Sequence, residues 1–194
     1  MAREMTTETS GAPRILDVAE RLAQRRGFNG FSYADIASEL GVTKASLHYH
    51  FASKADLGTA LIARYATRFG EALDRADELE DERAKLAAYA ELYAGVLRDD
   101  RMCLCGMLAA EYETLPEAMQ GAVARFFEDN ERWLERVLEA GREQGTLAFA
   151  GPARDAALLL ISGLEGAMLV SRSLGDPSRF DAAARALLAR FDPA

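Results

Sequence analysis

Cysteine is almost missing from this chain. The 194 residues hold two, Cys103 and Cys105, too few and too close together for a disulfide framework, so a reducing cytoplasm is the expected setting. Long apolar runs are lacking as well: the longest, Ala156 to Val170, is broken by Ser162, Gly163 and Glu165. The start, Met1 to Gly11, is rich in Thr, Glu and Ser, so neither export nor membrane insertion is signalled. No stretch alternates apolar and polar residues for long enough to make a strand. The motifs of common enzymes are absent too. There is no Gly-x-Ser-x-Gly, Gly-x-Gly-x-x-Gly, P-loop or Cys-x-x-Cys, and neither histidine has a Glu three residues before it, as a di-iron bundle would need. His48 and His50 lie two apart, roughly 200° around a helix, and cannot share one ion. No enzyme activity, metal or cofactor is expected.

Basic residues are outnumbered, 23 to 31, for a net charge of −8, yet the imbalance is uneven. Residues 1–68 carry nine basic and seven acidic side chains, whereas residues 69–194 carry 14 and 24. Attraction to phosphate therefore has to come from the first part.

What is present is helical periodicity and a composition, 49% hydrophobic, that folds. The chain is expected to be all-α with about nine helices. Pro13 suits the first turn of a helix that ends at Gly27. Ser32, Thr43 and Ser53 can cap helices over 33–40, 44–51 and 54 to about 75. Further helices are expected over 83–97, 103–114, 116–145, 152–174 and 178–191. Residues 1–12 read as a flexible arm, 13–60 as a unit of three short helices, and 61–194 as a second, larger helical unit.

Residues 32–51 have the form helix, Gly-containing turn, helix, which presents a second helix to a major groove when its inner face is apolar. Val42, Leu47 and Phe51 are expected inward. Thr43, Lys44, Ala45, Ser46, His48 and Tyr49 fall on or near the outer face, offering short donors and acceptors, and Lys54 adds a second phosphate clamp. A helical adaptor for protein partners would leave that polar face unexplained.

The run from Ile15 to about Leu61 resembles the tetracycline-repressor-like (TetR/AcrR) regulators. It does so through Arg-Gly-Phe at 26–28, Asp-Ile-Ala at 35–37, Gly-Val-Thr-Lys-Ala-Ser-Leu at 41–47, His-Tyr-His-Phe at 48–51 and Ser-Lys-Ala-Asp-Leu at 53–57. Cys103-Leu-Cys-Gly-Met-Leu-Ala-Ala-Glu111 and Gly163-Leu-Glu-Gly-Ala167 extend the likeness less specifically. The resemblance implies phosphate contacts from Tyr33, Thr43, Tyr49, His50 and Lys54, and base contacts near Lys44, Ala45, Ser46 and His48. His48 departs from the Tyr that many relatives carry. Repression of a palindromic operator, released by a small-molecule effector, is likewise implied by the resemblance.

Helix 152–174 is apolar almost all round, so it is expected to be buried on all sides. Either it runs through the centre of one protomer, or it pairs with the last helix across a two-fold homodimer interface through Leu160, Gly163, Leu164, Ala167, Leu187 and Phe191. Cys103, Cys105, Met107, Tyr112, Phe126 and Trp133 are the candidate lining of an effector cavity. The two thiols are read in two ways, as small core residues or as sensors of oxidants or electrophiles whose thiolate a helix N-terminus would favour.

Overall fold

The computed structural model describes residues 11–193. Among them are nine α-helices: α1 (Gly11–Arg26), α2 (Tyr33–Leu40), α3 (Lys44–His50), α4 (Lys54–Asp77), α5 (Glu82–Arg98), α6 (Leu104–Ala110), α7 (Glu117–Gln144), α8 (Ala153–Ser173) and α9 (Ser178–Leu188). Short 3-10 turns follow α6 at Tyr112–Thr114 and α9 at Ala189–Phe191. Most of the arm expected over residues 1–12 lies outside the described residues, but Gly11 and Ala12 already belong to α1.

Local chemistry sets the helix ends of the first part. Ser32 and Asp35 form a reciprocal capping box that starts α2, and Ser53 and Asp56 form another at α4. Thr43 caps α3 by accepting from the Ser46 amide at 3.2 Å. Gly41, at φ +67, closes α2 in the left-handed region, where a Cβ would be strained.

Behind these caps, Ile15, Ala19, Leu22, Ile36, Leu47, Leu57 and Leu61 form the core of the α1–α3 unit, which α4 continues into the larger bundle. There α7 packs on α8, α4 and α5, while α9 lies against α8 and α5. A single apolar cluster runs through both parts.

The structure divides the faces of α8. Leu160 and Leu164, expected at a dimer interface, are fully buried within the protomer. Phe191 is buried too, its ring 6.0 Å from Phe149. Gly163 meets Leu187, so this pair makes the α8–α9 contact inside one protomer. Ala167 is half-buried. The apolar side chains left in the open are Leu158, Leu159, Leu169 and Val170, with Gly166 between them. Helix α8 is therefore core on one side and bare on the other, which periodicity could not resolve because both sides are apolar.

Candidate nucleic-acid interface and buried polar chamber

Helix α3 stands on the surface with its back to the core. Leu47 is fully buried, while Lys44, Ala45, Ser46, His48 and Tyr49 are exposed, Tyr49 to 87%. His48 Nδ1 lies 3.1 Å from the Ala52 carbonyl, which requires a proton on Nδ1 and leaves Nε2 free for another partner. His50 is half-buried against the start of α1, with its ring edge-on to Tyr49. Thr43 is exposed, although its hydroxyl already caps the helix.

One residue differs from expectation, and two make contacts within the chain that the sequence did not announce. Val42 does not point inward but is 39% exposed, because it sits in the turn before α3 rather than on its inner face. Tyr33 is buried, and its hydroxyl is engaged with the carbonyls of Phe51 at 2.9 Å and Ser53 at 2.7 Å. The Lys54 ammonium donates to the carbonyls of Phe28 and Phe31 and lies over both rings, 4.6 and 4.4 Å from their centres. Burial there lowers its pKa. Lys54 thus fastens the α1–α2 turn onto α4, keeping one ammonium proton for an anion. It lines, with Lys44, His48 and Ser32, a cleft of about 350 Å³ beside α3.

The reading unit is gripped from behind by the larger bundle. The Glu111 carboxylate accepts from the amides of Phe28 at 2.7 Å and Asn29 at 3.3 Å, and Thr114 accepts from the Asn29 side chain at 2.7 Å. Gly27, at φ +81, leaves the space that this carboxylate fills. Arg172 of α8 donates to the carbonyl of Arg25 at 2.8 Å, at the C-terminal end of α1. Sequence reasoning missed Glu111 and Arg172, whose partners lie 83 and 147 residues away.

At its other end α6 borders a buried cluster of polar and aromatic side chains, called the polar chamber below. Cys103 caps α6, its sulfur accepting from the Gly106 amide at 3.4 Å and from the Tyr65 hydroxyl at 3.7 Å. The carboxylate of Glu165 from α8 rests close by, where Gly106 lacks a side chain. Tyr89 and Tyr93 share a hydroxyl contact at 3.0 Å. Phe126 packs on Tyr65 and Phe69, and Trp133 stacks on Tyr89.

Both thiols are buried. Burial first, and then Glu165, pushes both well up from the usual thiol range, opposing the thiolate expected from the helix end. Met107 is half-buried, and Tyr112 sits outside the chamber, 42% exposed in the 3-10 turn that ends the α6 segment. Glu165, Tyr65, Tyr89 and Tyr93 belong to the chamber without having been singled out as its lining. The one legible signal was an acidic residue inside an otherwise apolar helix.

Burial pushes the Glu165 carboxyl up to about 7. The folded chain then keeps a proton that the unfolded chain releases near pH 4.5, so Glu165 makes stability fall as pH rises from about 4.5 to about 7 and adds no slope above that. At about 1.4 kcal/mol per pH unit, the loss is about 3 kcal/mol. Glu165→Gln is expected to remove this fall and to exceed the parent in stability at pH 8. Denaturant unfolding of both chains at pH 4.5 and pH 8 checks it; an identical pH difference in the two would contradict the burial of this carboxyl.

Comparison with known proteins agrees with this geometry. Residues 15–61 match the family described as bacterial regulatory proteins, tetR family, and residues 83–187 match the tetracyclin repressor-like C-terminal domain. A TetR-family transcriptional regulator from Agrobacterium tumefaciens superposes with a TM-score of 0.90 at 36% identity, covering 93% of this chain and 97% of that one. A TetR transcriptional regulator from Legionella pneumophila gives 0.87 at 29% identity, covering 96% and 100%. The transcriptional regulator AcuR of Cereibacter sphaeroides is 31% identical over 123 residues, 61% of this chain and 55% of its own length, so the match spans about half of that protein. Two family matches covering most of the chain, one over the reading unit and one over the bundle behind it, establish that this protein belongs to the tetR family of bacterial regulatory proteins.

Proposed function

We propose that the chain is a cytoplasmic homodimeric repressor that binds double-stranded operator DNA through α3 and releases it when a small molecule occupies the α4–α8 bundle. The observation that carries this reading is the α3 surface. Lys44, Ser46, His48 and Tyr49 stand outside while Leu47 anchors the helix from behind, as a major-groove helix requires. On this reading Tyr49 and His50 contact the phosphates, together with the remaining proton of Lys54, and Lys44, Ala45, Ser46 and His48 approach the base edges. On this reading residues 13–60 form the DNA-binding domain and 61–194 the effector and dimerisation domain, with α4 running across the boundary.

The bare apolar face of α8, with the neighbouring small residues Ala183 and Ala186 of α9, supports a two-fold contact with a second copy. Consecutive major grooves on one DNA face lie roughly 34 Å apart, so a shift of a few ångströms between two reading heads spoils simultaneous docking. The grip of Glu111 and Arg172 on the reading unit supplies the mechanical link, with α6 spanning from the polar chamber to that grip. A reversible ligand has more support than an oxidant or electrophile, since both thiols are shut off from solvent and held protonated.

Selection of duplexes from a random pool, followed by titration at several salt concentrations, tests this function. The expected outcome is enrichment of two-fold symmetric sequences, with affinity falling steeply as salt rises. Failure to enrich any sequence would overturn it.

The link itself can be broken separately. Glu111→Ala leaves the amides of Phe28 and Asn29 without their charged acceptor, and is expected to cost about 1–3 kcal/mol of stability. Hydrogen exchange at those two amides should accelerate. An unchanged unfolding midpoint with unchanged exchange would show that Glu111 does not hold the reading unit.

A further inference from the structure

We infer that the chamber around Glu165 binds a small organic cation, an inference that rests on reading the α4–α8 bundle as the effector domain. The Glu165 carboxylate comes from α8 and rests against Gly106 of α6, near Cys103 at the head of that helix, and its Oε1 is buried with no hydrogen-bond partner. A buried carboxyl without a countercharge is costly and normally finds a cation or a full set of donors.

None is seen among the described residues. The titratable groups felt at Glu165, and at the tyrosines and thiols around it, are Tyr89, Tyr93, Cys103, Cys105 and Glu165 itself, from α5, α8 and the start of α6; no lysine, arginine or histidine is among them. The surroundings are aromatic instead. Tyr65 of α4 packs on Phe126 of α7 with ring centres 5.6 Å apart, and Trp133 of α7 stacks on Tyr89 of α5 at 5.8 Å and 17°. Aromatic side chains near a single buried carboxylate oxygen, as Tyr89 and Tyr93 are to Glu165, are a setting in which a desolvated ammonium group is held.

A second, independent observation points to a ligand. Trp133 Nε1 and Asn130 Oδ1 are buried and unpartnered, and the two residues lie three apart on one face of α7. One atom donates and the other accepts. A hydroxyl group on the ligand would satisfy both, so an ammonium group carrying a hydroxyl fits better than a bare one.

The chain contains a single tryptophan, Trp133, so its fluorescence reports on the chamber alone. The full-length protein is titrated at pH 8 with choline and with tetraethylammonium, and in parallel with the uncharged isostere 3,3-dimethylbutan-1-ol and with isobutyrate. Both cations are expected to shift the emission saturably, choline more tightly than tetraethylammonium. The neutral alcohol should bind at least about tenfold more weakly than choline, and isobutyrate should not bind. Glu165→Gln should weaken choline about tenfold or more while leaving the alcohol unchanged, and Glu165→Asp should retain the preference for charge.

If Glu165→Gln does not fold, the parent decides, because choline should bind more weakly at pH 5, where the carboxyl is protonated, than at pH 8. Absence of a response to both cations, equal binding of choline and its neutral isostere, or an unaltered preference in folded Glu165→Gln would overturn the inference. DNA titration of the same preparations separates the two levels. A chain that binds its operator and ignores cations loses this inference alone, and one that takes cations but selects no DNA loses the regulatory reading.

Discussion

The double substitution Leu159→Glu and Val170→Glu is expected to turn the proposed dimer into a folded, soluble monomer that has lost tight operator binding. The two side chains are 52% and 56% exposed in the protomer, so replacing them leaves the core intact. They lie eleven residues apart, three turns of α8, and share the face on which Gly166 allows a second backbone to approach. Across a two-fold axis each substitution occurs twice, placing four carboxylates in an apolar contact without partners, at a cost of several kcal/mol. Leu160→Glu or Leu164→Glu would not serve, because both leucines are fully buried in the protomer and their loss would unfold it.

Operator affinity should then fall about 100-fold or more, since one reading head no longer holds the other near its half-site. Sedimentation at micromolar concentration checks the mass, and DNA titration checks the affinity. A variant that remains dimeric would place the interface elsewhere.

A comparable loss is expected from Lys44→Ala combined with Tyr49→Ala, for a different reason. Both side chains are exposed on α3, and Tyr49, at 87%, contributes almost nothing to the core. Stability and dimerisation should be unchanged. If each contact to DNA is worth about 1–3 kcal/mol, the pair should cost about 100-fold in affinity, with the salt dependence reduced by about one counterion for the lost lysine. Lys54→Ala should behave differently, lowering the stability of the α1–α3 unit as well, because its ammonium holds the Phe28 and Phe31 carbonyls. Equal destabilisation by the α3 pair and by Lys54→Ala would mean that α3 is a structural helix rather than a reading one.

These differences trace how far the sequence could be read. The helix ends around α2, α3 and α4 were legible because their causes are local: Ser32 with Asp35, Thr43 with Ser46, Ser53 with Asp56, and Gly41 in a conformation other residues rarely adopt. Exposure of Lys44, Ser46 and Tyr49 followed from the same periodicity. Contacts over long separations were not legible. Nothing near Phe28 announces that Glu111 will accept its amide, and nothing near Lys54 marks its ammonium for carbonyls 23 and 26 residues earlier.

The faces of α8 were ambiguous because Leu159 and Leu160 are equally apolar; only packing against α7 and α9 separates the bare one from the buried one. Glu165 was visible as an oddity in an apolar helix, but no local pattern links it to its neighbours Tyr89 and Tyr93 of α5 and Cys103. The same burial overrides the helix-end argument for Cys103 and Cys105, since removing a thiolate from water outweighs the partial charge of a seven-residue helix.

Hydroxyl-radical footprinting of the protein on a selected duplex tests the central claim most directly, namely that two α3 helices dock together in successive major grooves. The expected pattern is two protected backbone patches related by a two-fold axis and centred about 34 Å apart on one face of the DNA. The Lys44→Ala/Tyr49→Ala protein should leave both patches open at the same concentration. A single patch, uniform coating of the duplex, or protection that survives this double substitution would contradict it.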